Sequence, residues 1–254
     1  MNDKRMNDEQ RYLLDLQGYL VLKNVVPPET VRACNGAMDR LEAMPQAEWP
    51  HALTLGTTRT ESELYLSNVL EADAAFTLLM DVPEALDVVR EISGAFYRLN
   101  HTYGIWRWGE GGYTPLHMGN TPMIDKCQYR CENGQMVSTL TKAVFPMLDA
   151  RAEDGCFAVI PGSHKSSFPR PYGSHPAKNP PLIPVPADAG DCILFTEALA
   201  HGSTVKTSAN RRRTLYYCYS VGWMPDWGEQ GLRFSSRVMD SLTEAQREIV
   251  RLKE

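Results

Sequence analysis

The sequence predicts a mostly β protein with a helical N-terminal region. Three observations carry that reading. Up to about residue 94 the apolar residues recur at helical spacing. Beyond it, short runs of bulky β-formers take over. Turn signals such as Glu153-Asp154-Gly155 and Pro161-Gly162-Ser163 separate those runs. Short strands so punctuated suggest a β-sandwich or barrel, with the helices covering one face. No internal repeat is present. The 254 residues are read as one domain: helical cover over 1–94, a β core over 95–221 and a helical extension over 222–254.

Taken in order, residues 8–17 set Tyr12, Leu13, Leu14 and Leu16 among charges as a first helix. Gly18 ends it, and residues 19–23 read as a strand. A second helix covers about 29–44, with Val31, Cys34, Met38 and Leu41 on one face. Residues 45–66 read as a long loop, and 71–92 as two helices broken near Pro83. Strands are expected over 97–108, 137–148, 156–160, 191–196 and 213–221. The proline-dense stretch 169–186 reads as irregular, and long loops of that kind often serve as lids or binding loops. A closing helix presents Val238, Met239, Leu242, Ile249 and Leu252, as core cover or subunit contact; the oligomeric state is left open.

Composition excludes several classes. Hydrophobic and charged fractions of 43% and 22% are ordinary, and a net charge of −5 gives no reason to expect a nucleic acid or a membrane partner. Of the six cysteines, Cys127 and Cys131 are close, but no second pair completes a zinc site, so free thiols are expected. The polar N-terminus carries no signal peptide and no apolar run reaches ~18 residues, which predicts a cytoplasmic protein.

Among six histidines, His117 and His201 stand out by setting. His117 follows the glycine-rich turn 109–112 that halts the long strand, and His201 follows the apolar strand 191–196. Arg212 stands eleven residues after His201. From Gln17 to about Ser220 the chain resembles the phytanoyl-CoA dioxygenase family of iron(II)/2-oxoglutarate enzymes. The most specific pieces run from Gly155 through Pro161-Gly162-Ser163-His164 to Lys165, from Gly190 to Gly202, and over Arg211-Arg212-Arg213-Thr214.

The resemblance implies a double-stranded β-helix, or jelly roll, with Fe(II) and 2-oxoglutarate as cofactors and O2 as co-substrate. Such enzymes hold iron through His-x-Asp and a distal histidine. That maps onto His117, position 119 and His201. The family arginine maps onto Arg212, whose guanidinium would pair with the far carboxylate of 2-oxoglutarate. Ser203 would add a hydroxyl there, and Thr139 is assigned to the cofactor as well. Alternation sends Arg211 and Arg213 to the opposite face. His164 reads as a loop marker with no metal role.

Position 119 departs from the pattern: Gly119 has no side chain to ligate. Three readings compete. In the first, chloride fills the open position, restoring the missing volume and charge beside a dication. The resemblance is then to iron/2-oxoglutarate halogenases, which replace an unactivated C–H hydrogen of a small molecule with chlorine. Gly119 is necessary for such an enzyme without being sufficient. In the second, iron is held by two histidines and either water or a carboxylate from elsewhere, and the enzyme hydroxylates. Glu197, four residues before His201, is the best such carboxylate, with Asp125 after it; a hydrogen bond to a ligand is the plainer role for Glu197. In the third, the protein is a non-catalytic small-molecule-binding module.

Tyr103, Asn120, Gln128 and Thr141 are read as substrate-facing, with Thr139 and Thr141 on one strand face. Arg107, Lys126, Arg130, Arg170 and Lys178 make the loops around the expected mouth basic. That sign suits an anionic small molecule, set against the simpler reading of a solvated rim.

Overall fold

A computed structural model of the chain describes residues 6–117, 126–224 and 234–251. Helix α1 (Asp8–Gln17) begins in a capping box, where Asn7 accepts from the Gln10 backbone and Gln10 accepts from that of Asn7. Gly18 closes it in the left-handed region at φ 85°. The position is doubly restricted, because an added Cβ would lie 2.6 Å from His164 Nδ1.

The remaining elements follow as β1 (Tyr19–Leu22), α2 (Pro28–Ala43), α3 (His51–Thr54), β2 (Thr58–Arg59), β3 (Glu63–Ser67), α4 (Pro83–Ser93) and β4 (Tyr97–Arg107). Then come β5 (Tyr129–Glu132), β6 (Gln135–Ser138), β7 (Leu140–Pro146), β8 (Phe157–Val159), β9 (Ile183–Val185), β10 (Cys192–Thr196), β11 (His201–Ser203), β12 (Arg212–Val221), α5 (Ser236–Ser241) and α6 (Glu244–Val250).

The strands form a seven-stranded antiparallel sheet in the order β1-β10-β7-β12-β4-β3-β2, a three-stranded sheet β11-β8-β9, and the hairpin β5-β6. Alternation divides the large sheet into two faces. Its outer face buries Leu64, Leu66, Phe145, Leu194, Leu215, Tyr217 and Tyr219 against α1, α2, α4 and α6. Its inner face packs Ile105, Val144, Ile193, Phe195 and Tyr216 onto Phe157, Val159 and Val185 of the small sheet. The result is the mostly β sandwich with helical cover that the sequence predicts.

Four local readings are corrected. Residues 45–66 hold α3, β2 and β3, and β3 follows a period-two pattern through Leu64 and Leu66. The stretch before α4 is two 3-10 turns, Val69–Glu71 and Ala74–Leu79, with Asp73 capping the second. The proline-dense stretch contributes β9, an edge strand in which Pro184 is tolerated. The closing helix is two, because Thr243 caps α6 afresh after Leu242. Leu242 and Ile249 are buried, so this segment is core cover; Leu252 lies outside the described residues. Among the described residues no helix is long and apolar enough to cross a membrane.

Candidate metal centre

Close backbone approach builds the site. The segment before His117 runs along β11 as an extra strand: Ser203 N donates to Thr114 O at 3.1 Å, and His117 and His201 exchange backbone bonds of 3.0 and 3.1 Å. Gly202 permits this, since a Cβ there would meet Thr114 O at 2.7 Å and Pro115 O at 3.2 Å. The two imidazole rings consequently lie 4.2 Å apart, centroid to centroid. The proline-dense loop straps the same segment, through Leu116 N to Ser174 O and Arg170 to Leu116 O.

Both imidazoles are held in a fixed orientation by backbone carbonyls. His117 Nδ1 donates to Pro115 O at 2.7 Å and His201 Nδ1 to Leu199 O at 2.8 Å, which turns each Nε2 lone pair outward from the backbone. Burial lowers both pKa values, that of His201 well below the ordinary range, with the neighbouring His117 and Lys142 adding to the effect. Both rings are neutral near pH 7, as metal binding requires.

A carboxylate joins them. Glu197 continues the inner face of β10 one residue past its end, its N donating to Leu140 O. Ligand atoms of His117, Glu197 and His201 all lie within 4.8 Å of one another, and Glu197 Oε1 is 3.9 Å from His201 Nε2. Two neutral imidazoles and one carboxylate are a set that iron(II) accepts. The other oxygen, Oε2, is 2.8 Å from Lys142 Nζ on the inner face of β7. Burial alone would lower the Lys142 pKa; Glu197, with Tyr103 and Cys218 behind it, holds it well above the ordinary value.

Some 2-oxoglutarate chemistry is legible further along the inner face. Arg212 is buried, with Nη2 donating to Tyr216 Oη at 3.0 Å while Nε and Nη1 have no partner among the described residues. Val144, Phe157, Val185, Ile193 and Thr214 surround this end of the interior. Open guanidinium donors in an apolar box fit the far carboxylate of a small dicarboxylate. Arg107, opposite Arg212 across β4 and β12, is fully engaged: Nε with Glu63, Nη1 with Ser203 Oγ at 3.0 Å, and Nη2 with Thr114 Oγ1 at 2.9 Å.

The structure thus brings His117, His201 and Arg212 to the inner face, and adds Glu197 and Lys142. Other expected site residues sit differently. Ser203 Oγ is held by Arg107, by Thr114 N at 2.7 Å and by Thr204 O, so its hydroxyl is occupied within the chain. Thr139 Oγ1 accepts from Gln128 N at 2.7 Å and donates to Lys126 O, bracing that turn. Thr141 points away from the interior, into a polar knot with Ser138 and Ser93, because Lys142 takes the inward position. Tyr103 is on the inner face, stacked on Tyr216 at 4.4 Å. Gln128 contributes backbone bonds to Thr139, and Gly119, Asn120 and Asp125 lie outside the described residues. The basic mouth is reduced, since Arg107 is buried and Arg170 is tied to Gly173, Asn179 and Leu116. His164 packs edge-on to Tyr129 and reaches Asp15 O at 3.0 Å, far from any ligand role. Lys142 is legible in the sequence as a polar residue with reach toward the pocket; its pairing with Glu197 is not, because the two come from different strands.

Comparison with known families fixes the class. The phytanoyl-CoA dioxygenase (PhyH) model matches residues 14–214. The chain belongs to the phytanoyl-CoA dioxygenase family. It is accordingly a non-haem iron(II)/2-oxoglutarate-dependent oxidoreductase. Among curated proteins, the dioxygenase lolE1 of Epichloe uncinata is 26% identical over 114 residues, a match that spans 43% of each chain. HygX of Streptomyces hygroscopicus, solved with nickel and 2-oxoglutarate, shares the fold at TM-score 0.73 and 24% identity, over 88% of this chain and 90% of its own. The epimerase SnoN, solved with Fe3+, α-ketoglutarate and nogalamycin RO, does so at TM-score 0.65 and 18% identity, over 94% and 96%.

Proposed function

We propose that this family member is an oxygenase that hydroxylates a C–H bond of a small organic molecule, with iron(II) held by His117, His201 and Glu197. The observation that carries this reading is the Glu197 carboxylate beside both histidines, where Gly119 leaves the usual carboxylate missing. When bound there, iron(II) with O2 and 2-oxoglutarate would supply the oxidising power, one oxygen atom going to the substrate and the other to succinate, with release of CO2.

The chain's own part is positional. The Pro115 and Leu199 carbonyls orient the imidazoles. Arg212 and Tyr216 receive the far carboxylate of 2-oxoglutarate. Phe157 and Phe195, with ring centroids 5.9 and 4.5 Å from that of His201, keep water from one side of the centre. HygX has been solved with hygromycin B and SnoN with nogalamycin RO, which supports a small-molecule substrate. An anionic one loses the support of Arg107 and Arg170.

The halogenase reading, with chloride as a further ligand, rests on Gly119. Product mass separates the two. Incubation with iron(II), 2-oxoglutarate and O2 is expected to add one oxygen to the product whether or not chloride is present. A product with chlorine in place of hydrogen, formed only with chloride and lost in Gly119→Asp, would establish halogenation instead.

A further inference from the structure

The two oxygens of Glu197 face different partners. Oε1 looks toward His201 Nε2 at 3.9 Å, whereas Oε2 is 2.8 Å from Lys142 Nζ. The ammonium is itself held firmly. It donates to Tyr103 Oη at 3.3 Å and lies 5.4 Å from that ring's centroid. Tyr103 is clamped in turn between Tyr216 at 4.4 Å and Tyr65 at 5.4 Å. The base of Lys142 is fixed on a central strand, opposite Phe195 of β10 and Cys218 of β12.

A buried ammonium is costly unless paired, and an apolar interior has no packing need for one. Its use follows from counting positions. An octahedral ion that takes two imidazoles, two oxygens of 2-oxoglutarate and O2 has one position left for the protein carboxylate. A carboxylate free at both oxygens can chelate and occupy a second. An Asp in the family's usual place sits on a short side chain, whereas Glu197 is one methylene longer.

We propose that Lys142 is a positioning residue that confines Glu197 to ligation through one oxygen. The ammonium retains Oε2, so only Oε1 is offered to the metal, and a position stays open for 2-oxoglutarate. This inference rests on Glu197 being a ligand.

The test is anaerobic titration with iron(II), then with 2-oxoglutarate followed by visible charge-transfer absorption. It uses wild type, Lys142→Met, Lys142→Arg, Glu197→Gln and the double variant Lys142→Met/Glu197→Gln. Lys142→Met is expected to bind iron at least as tightly as wild type, yet bind 2-oxoglutarate ~10–100-fold more weakly, the usual scale for a residue that orients a ligand. Lys142→Arg is expected to restore most of that loss. The double variant, with both buried charges gone, is expected to match Glu197→Gln, because Lys142 acts only through Glu197. A lysine that only supports the fold would weaken iron and 2-oxoglutarate together or neither, and either result overturns the proposal. So does a double variant whose iron affinity differs from that of Glu197→Gln, a comparison that holds even where Lys142→Met is insoluble. Unchanged iron affinity in Glu197→Gln removes the ligand assignment itself. Loss of iron in Glu197→Gln beside wild-type 2-oxoglutarate binding in Lys142→Met removes the role of the lysine alone.

Discussion

Arg107 and Arg212 stand opposite each other on β4 and β12, both buried on the inner face of one sheet. Arg107 gives its donors to Glu63, Ser203 and Thr114, while Arg212 keeps Nε and Nη1 without a partner among the described residues. Burial and the facing Arg212 lower the Arg107 pKa, with Glu63 pushing back. Like charges placed directly across a ladder repel. One cation is neutralised within the chain; the proposed function leaves the other for the far carboxylate of 2-oxoglutarate, which would relieve the repulsion. The difference separates an anchor from a receptor, although the residue type is the same.

Breaking the receptor should give the largest effect. Arg212→Met is expected to weaken 2-oxoglutarate binding on the order of 100-fold or more, the loss of a charge-assisted pair worth about 3 kcal/mol. Thermal unfolding of that variant should be unchanged or slightly later, because a buried unsatisfied group has been removed. Breaking the anchor should do the reverse. Arg107→Met is expected to cost about 2–3 kcal/mol in urea denaturation, below the usual figure for a buried pair because Glu63 is 32% exposed. Folded Arg107→Met protein should keep most of its affinity for 2-oxoglutarate.

Gly202→Ala tests the strand contact that the anchor supports. A Cβ 2.7 Å from Thr114 O must push the 114–117 segment away. About 2 kcal/mol of stability should go, with iron affinity falling in titration while Arg212 stays in place.

The most gradual effect, spread over a range of pH, sharpens the comparison. Neither arginine changes charge in the acid range, so acid sensitivity comes from other groups: carboxylates held below their ordinary range, such as Asp15 and Asp154, and buried histidines. His164 is pushed down to about 4, mainly by burial. The unfolded chain therefore takes that proton first. Stability is full above about pH 6.5 and falls by about 1.4 kcal/mol per pH unit for this group, until the pH passes about 4. Wild type and both arginine variants should share that slope, and His164→Gln should lessen it when denaturation is followed across pH.

Much of this was legible in the residues. The helical-to-strand shift near residue 94 gave the architecture, and motif and spacing drew attention to His117, His201 and Arg212. Alternation correctly separated Arg213, which pairs with Asp39 and Glu42 of α2, from Arg212 on the inner face. Alternation also misleads: it turns Thr139 and Thr141 inward together, whereas the sheet register puts Lys142 on the inner face and Thr141 on the outer. The β5-β6 hairpin was missed although Asn133-Gly134 marks its turn, with φ 52° and 76°. The engagement of Arg107 could not be read from sequence, because Glu63, Thr114 and Ser203 come from segments that only tertiary pairing brings together. Glu197 was visible as a carboxylate four residues before a histidine, but its partner Lys142 lies on a different strand.

The account stands or falls on Glu197. Its most direct test is an anaerobic crystal structure with iron(II), 2-oxoglutarate and chloride. The account predicts Glu197 Oε1 bound to the metal, with Oε2 still on Lys142. Chloride or water in that coordination position, with Glu197 held only by Lys142, would contradict it.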